Sequence, residues 1–316
     1  MNSQDPHSPM VSVIVPVYNG YEFLKECLQS LLDQSFTDIE IIVVNDGSTD
    51  ETAALLKQYE SFKNIVVCHL SRNRGEAAAT NIGIQIAKGK YIARMDADDI
   101  SLPDRLFLQV AALESDPDLV LVGAQTQVFG RDGESTTNLF LADGDIKCAL
   151  LVGAGHLVTT SVIWRRDWFI QRGIWWNTSL PSARDLRFWS DAMLAGAKFR
   201  NLPETLVRYR IHDANASHQV EAVRQSSRST RAMLLRALYP SLDENAIANL
   251  VPVLEIQFGD AHLNDANALL TAEKSLVQMR SEAVSLYGEN RHILRDYIDQ
   301  WISRVQKRID LLDGKN

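Results

Sequence analysis

Four short apolar runs alternate with amphipathic segments in the N-terminal third of the chain, and that alternation dictates the fold class. Val11–Val15, Ile39–Val44, Asn64–His69 and Tyr91–Met95 are rich in β-branched and aromatic residues and read as buried strands. After the first, Leu24, Cys27, Leu28, Leu31 and Leu32 recur at helical spacing. After the second comes the turn-rich Asn45-Asp46-Gly47-Ser48-Thr49-Asp50, then a helix to about Tyr59. After the third, Arg72-Asn73-Arg74-Gly75-Glu76 opens a helix that runs to Lys88 and ends at Gly89 as a C-cap glycine would. Strands alternating with helices predict a mostly parallel, doubly wound α/β sheet. Right-handed crossovers then bring the loops at 16–20, 45–50, 72–76 and 96–99 to one sheet edge, where open α/β sheets bind ligands.

The last of those loops carries the most charge. Gly89–Arg105 reads GKYIARMDADDISLPDR, with Asp96, Asp98 and Asp99 packed at one strand end. Three carboxylates repel one another unless a cation lies between them. Oxygen donors suit magnesium or manganese, which take one or two carboxylates plus substrate phosphates. The plainer reading, a solvated acidic turn capping the next helix, stands for the motif alone.

Farther on, a helix at 103–115 and a strand at 118–123 continue the layer, and 124–145 reads as an antiparallel excursion through the Arg131-Asp132-Gly133 turn. Val158–Trp164 is strand-like, and Arg165 to Pro181 is a loop carrying Trp168, Trp175 and Trp176. Ala183–Leu194 is a helix with Phe188 and Trp189 inside, followed by strands at Ala197–Asn201 and Thr205–Ile211. Everything after Asp213 is helical. Ser241-Leu242-Asp243-Glu244 matches a capping box. Leu269, Leu276, Ala283 and Leu286 share a face, and Ile293, Leu294, Tyr297, Ile298, Trp301, Val305, Ile309 and Leu312 form an apolar stripe that suits packing between helices. The expected organisation is a tail over 1–10, a sheet domain over 11–212 divided at 110, and a helical region over 213–316.

The composition, 46% hydrophobic and 23% charged over 316 residues, is that of a soluble globular protein. A net charge of −8 argues against a nucleic-acid binder driven by phosphate contacts. Cys27, Cys68 and Cys148 lack metal spacing, and the first two read as buried thiols, which points to a reducing cytosol. No apolar run approaches the roughly 18 residues of a membrane span. Residues 1–10 lack a signal-peptide core and read as a mobile tail.

In order, VSVIVPVYNG, VVNDGSTD and NRGEAAATNIGIQIAKGKYIARMDADD resemble the donor half of the family 2 glycosyltransferases with the GT-A fold. HLVTTSVIWRRD, ARDLRFWSDAMLAGAKF and LPETLVRYRIH extend the resemblance to about residue 212; residues 213–316 lie outside it. It implies a metal-dependent inverting transferase of hexosyl type that moves a sugar from a nucleotide-sugar donor, UDP-linked by expectation, to an acceptor hydroxyl. A saccharide or lipid-linked acceptor, Mn2+ or Mg2+ as cofactor, and a role in polysaccharide or glycoconjugate synthesis belong to the same expectation. So does a cytoplasmic location, with contact to the inner membrane face and homodimerisation through the C-terminal helices left open.

The resemblance assigns roles position by position. Pro16, Tyr18 and Asn19 match the loop that holds nucleobase and ribose, Asp46 a carboxylate on base or ribose, and Asn73 and Gly75 the loop the nucleotide backs onto. Asp98 is the first metal ligand, Asp96 lies nearer the ribose or the metal, and His212 matches a position that meets the metal or diphosphate. Asp185 matches the general base. The Glu that precedes it in the family is Arg184 here, and a cation beside a carboxylate lowers its pKa and weakens it as a base. His156, Trp175 and Trp176 are acceptor-side candidates. Two other readings remain: a non-catalytic nucleotide-sugar binding module, which Arg184 favours, and a nucleotidyltransferase, which the loop PVYNGYEFLKE disfavours because it is no glycine-rich phosphate loop.

Overall fold

The computed structural model describes residues 8–131, 133–152, 155–213, 220–255, 263–282 and 291–314. The tail expected over 1–10 therefore lies mostly outside the described residues, as do Asp132 of the expected turn and Ala283 and Leu286 of the helical pattern. The chain divides into two compact units.

The first unit comprises residues 1–139, 157–179 and 197–218 and holds the sheet. Its elements are β1 (Val11–Val17), α1 (Tyr21–Leu32), β2 (Ile39–Asn45), α2 (Thr52–Leu56), β3 (Ile65–His69), α3 (Glu76–Ile86), β4 (Tyr91–Arg94), β5 (Ile100–Ser101), α4 (Arg105–Ser115), β6 (Leu119–Gly130), β7 (Ser135–Thr136), β8 (Ile163–Arg165), α6 (Arg166–Ile170) and β9 (Lys198–Ile211). The strand order is β3-β2-β1-β4-β8-β6-β9-β5, with β7 on β6. The four strands at the β3 end are parallel, as the alternation predicts. β8 then joins antiparallel to both β4 and β6, so the whole sheet is mixed.

Each apolar run of the sequence becomes a buried strand, with β1 and β2 buried along their full lengths. β1 extends two residues past the expected Val15 and takes Pro16 inside it. Tyr91 and Met95 donate N–H bonds to the carbonyls of Met10 and Ile14, whereas Asp46 donates to Val17. Even-numbered residues of β1 thus face β4. Pro16, with no N–H, stands opposite Val44 of β2 and beyond the last β4 partner, so no ladder bond is lost.

Gly89 differs from its expected role. α3 closes at Ala87 in an extended conformation, and a Cβ on Gly89 would stand 2.5 Å from the Ser12 backbone nitrogen. Close approach to β1, not a left-handed cap, requires glycine there. The two late strands expected around 197–211 are one, β9, which pairs with β6 in parallel and absorbs Pro203 and Glu204 in a register shift.

The second unit comprises residues 140–156, 180–196 and 219–316. It holds α5 (Asp143–Val152), α7 (Arg184–Leu194), α8 (Val220–Leu238), α9 (Glu244–Val253), α10 (Ala266–Ser281) and α11 (Arg291–Leu312). The helical unit thus draws in two segments from before residue 213. Leu294, Ile298, Trp301 and Val305 of the apolar stripe are buried, as are Phe188 and Trp189. The cap of α9 is Asp243, whose carboxylate accepts the Ala246 N–H at 2.7 Å, and not Ser241. Glu255 is buried among Arg224, Arg228 and Arg231 of α8. Among the described residues no helix is long and apolar enough to cross a membrane.

Candidate active site

In the sheet unit the four polar loops meet as the crossover argument predicts. Asn19, in a left-handed conformation at φ 51°, accepts the Thr49 N–H at 2.8 Å and donates its own N–H to Ser48 Oγ at 3.0 Å. Gly20 N–H donates to Thr52 Oγ1 at 3.0 Å. The first and second loops are therefore stitched together, with Tyr18 half exposed beside the seam. Pro16 lies behind it, buried in β1.

Asp46 joins the second loop to the third. It is buried, and its two carboxylate oxygens accept the N–H groups of Arg74 and Gly75, each at 2.8 Å. Asn73 accepts the same Gly75 N–H at 2.9 Å. A carboxylate paired with two backbone donors is a strap, and it fixes the start of α3. Gly47 permits the approach: its φ is 70°, and a Cβ there would lie 2.4 Å from the Arg72 carbonyl carbon.

The aspartates have three different environments. Asp99 is fully buried, and its Oδ1 accepts the Arg210 N–H at 2.8 Å. Burial, reinforced by the Asp96 and Asp98 charges, raises its pKa well above the usual carboxylate range. Asp98 is partly exposed. Its carbonyl accepts the Arg210 Nε–H at 2.8 Å, and its Oδ2 lies 2.9 Å from His212 Nε2. Phe23 of α1 backs the imidazole at a ring separation of 4.9 Å. Asp98 and Asp99 together thus capture the end of β9 and deliver His212 to the loop.

Asp96 is the third case. Its Oδ1 pairs with Arg94 Nη1 at 2.8 Å, and its N–H donates to Thr160 Oγ1 at 3.2 Å. Burial raises its pKa; Arg94 pulls the other way, Glu76 and Asp98 push up again, and the balance is about 6. Burial opposes the Arg94 charge too, but Asp96 and then Glu76 outweigh it and raise its pKa. Arg105 is equally buried and donates to the Arg94 carbonyl at 2.8 Å; burial lowers its pKa to about 10. Arg94, Glu76, Arg105 and Thr160 escaped the sequence reading. The available signal was a charged residue inside the apolar run YIARM.

Among the described residues no three His, Cys, Asp or Glu side chains form a closed metal cage. Asp98 and His212 offer one oxygen and one nitrogen at a partly exposed edge. That fits an ion whose remaining positions are filled by phosphate oxygens and water.

Asp185 belongs to the helical unit and sits in the first turn of α7, behind Ala183 at φ 44°. Its Oδ1 accepts the Leu186 N–H at 2.8 Å. Arg184 donates to the carbonyls of Leu180 and Pro181, at 2.8 and 2.9 Å, so its guanidinium points back along the chain. In the same unit, burial lowers the His156 pKa, with Asp185 opposing and Arg231 adding to the shift. Trp176, an acceptor-side candidate in the sequence, is buried in the sheet unit with its backbone clamped by Asn81; Trp175 keeps partial exposure.

Residues 12–173 match the family model described as glycosyl transferase family 2. An uncharacterized glycosyltransferase of Haemophilus influenzae is 30% identical over 277 residues, 83% of each chain. The amylovoran biosynthesis glycosyltransferase AmsE of Erwinia amylovora is 32% identical over 207 residues, 64% of this chain and 76% of that protein. In structure, S. aureus TarS 1-349 in complex with UDP-GlcNAc aligns over 96% of this chain and 92% of its own, with a TM-score of 0.66 at 17% identity. The mannosyltransferase PcManGT from Pyrobaculum calidifontis in complex with GDP-Man and Mn2+ aligns over 96% and 87%, with a TM-score of 0.56 at 18% identity. The fold is GT-A.

Proposed function

Because this chain belongs to glycosyl transferase family 2, we propose that it is a metal-dependent, inverting hexosyltransferase that uses a UDP-sugar and a saccharide or lipid-linked acceptor. The observation that carries this reading is the Asp98–His212 pair in the same loop layer as the Asp46-strapped nucleotide loops. Gly20 of the first loop approaches Ala97 between the two aspartates, with 3.8 Å between its ideal Cβ and the Ala97 Cβ. The UDP-GlcNAc bound by a structure of the same fold supports the choice of donor. The name of the Erwinia relative supports polysaccharide or glycoconjugate synthesis.

In this proposal Tyr18 and Asn19 receive the base and ribose, and the open face above Gly75 lets the nucleotide approach the start of α3. Asp46 acts by holding that loop in place. Asp98 and His212 hold a Mn2+ or Mg2+ ion with the diphosphate, and the chemistry it supplies when bound is neutralisation of charge on the leaving group. Asp185 accepts the proton of the acceptor hydroxyl. The acceptor oxygen bonds to the anomeric carbon from the opposite face, and the bond to the diphosphate breaks with its electron pair leaving on phosphate. The Arg184 guanidinium donates to the Leu180 and Pro181 carbonyls and so points back along the chain. A cytoplasmic location belongs to the same proposal, as do contact with a membrane face and pairing through the C-terminal helices.

A thermal-shift screen of nucleotides and nucleotide sugars, with and without Mn2+, tests this reading. Ligand at one hundred times its Kd stabilises by about 2.7 kcal/mol. Stabilisation by UDP only with the metal, followed by transfer from a mass-tagged UDP-sugar, is the expected result. No shift with any nucleotide would overturn it.

A further inference from the structure

Arg94 is fully buried, yet its guanidinium spans two loops of the donor side. Nη1 lies 2.8 Å from Asp96 Oδ1 and donates to the Met95 carbonyl at 2.6 Å. Nη2 donates to Glu76 Oε1 at 2.7 Å. Glu76 is the first residue of α3 and follows Gly75, whose N–H is gripped by Asp46. The Trp176 ring covers the guanidinium at 5.9 Å, and Asn81 of α3 clamps the Trp176 backbone through two hydrogen bonds. One cation therefore ties the strapped start of α3 to the aspartate loop, inside a wall of fixed groups.

We propose that Arg94 is a positioning residue of the donor site: by bridging Glu76 and Asp96 it fixes the Asp96 carboxylate to receive donor hydroxyls, and so leaves the cation to Asp98 and His212. This rests on the reading of the chain as a nucleotide-sugar transferase. A carboxylate with one oxygen held by a planar fork has its orientation set before ligand arrives, which lowers the ordering cost of binding. A lysine keeps the charge but cannot reach two carboxylates at fixed angles. The bridge also makes Glu76, partly exposed at 40%, a participant in donor binding.

The test is a double-mutant cycle of Arg94→Lys and Asp96→Asn, read by calorimetric binding of UDP with Mn2+ and by the KM and kcat of UDP-sugar hydrolysis. The expected result is that Arg94→Lys alone weakens binding about tenfold, within the range of coupling seen for contacting residues. The loss appears in KM more than in kcat, and Arg94→Lys costs less than about twofold once Asp96 is asparagine. Glu76→Gln, at a partly exposed partner, runs the same cycle where the Arg94 variant does not fold. Effects that simply add, or a loss confined to melting temperature, would overturn the positioning role. A wild-type protein that binds no UDP overturns the transferase reading as well, whereas binding by wild type with an additive cycle overturns this inference alone.

Discussion

His212 Nε2 and Asp98 Oδ2 lie 2.9 Å apart although 114 residues of chain separate them. What joins them is the grip of Asp98 and Asp99 on Arg210, which draws the end of β9 over the aspartate loop. Neither partner can present a pair of donors without the other.

That pairing sets the first expectation. His212→Ala and Asp98→Asn each weaken activation by Mn2+ by about 10- to 100-fold, the range seen when support of a metal site is removed. Titrating Mn2+ against UDP-sugar hydrolysis measures it. Unchanged metal dependence in both variants would remove these residues from the cation site.

Asp185→Asn should lower kcat by about 10²–10⁴, the usual contribution of a general base, with UDP affinity unaltered. Calorimetry and single-turnover kinetics separate the two. If the variant keeps its turnover, another group takes the proton. Arg184→Glu restores the family pair and removes two guanidinium contacts to the preceding turn; the expected readout is an altered pH profile of turnover.

Gly47 and Gly75 both have positive φ but different surroundings. Alanine at Gly47 meets the Arg72 backbone, whereas at Gly75 a Cβ meets nothing within 4 Å. Backbone strain alone costs about 1–3 kcal/mol. Gly47→Ala should therefore lower the unfolding midpoint distinctly more than Gly75→Ala. Equal losses would mean that the loop contact is not retained in solution.

Desolvation of the partly buried His156 ring depresses its pKa below that of the unfolded chain. The unfolded chain thus takes up the proton first, and folding stability attributable to this group is present at neutral pH and lost as pH falls through about 6.5, the free value. His156→Gln should lose less stability than wild type between about pH 7.5 and 5.5. A loss identical in both proteins would contradict the assignment.

Glu255 is fully buried beside three arginines. Glu255→Gln preserves shape but leaves those charges uncompensated, at a cost of roughly 3–5 kcal/mol. Chemical denaturation of the full chain reads the loss; a change under about 1 kcal/mol would show the cluster to be solvated.

The parallel half of the sheet was legible because burial on both faces leaves long apolar runs in β1 and β2. The stitched loops were legible because right-handed crossovers leave them one edge to occupy. β9 was harder to read: Pro203 and Glu204 interrupt its pattern, and only the long β6 partner carries the strand through them. The α6 turn and the helix α5 were missed, since neither announces itself by caps or period. The Asp46 strap was hidden because its two donors, Arg74 and Gly75, lie in a distant loop. Arg94 was invisible for a related reason, as a charge inside a strand is intelligible only once Glu76 and Asp96 are seen around it.

The separation of Asp98 from His212 also imposes an order in time. Residues 11–99 leave the ribosome carrying all four polar loops, with Asp46 able to reach Gly75 across a short span. The Asp98–His212 pair cannot exist until residue 212 has emerged and β9 has been laid against β6, a late, long-range event of the kind that slows folding. A nascent chain therefore holds its four polar loops before it holds the Asp98–His212 pair.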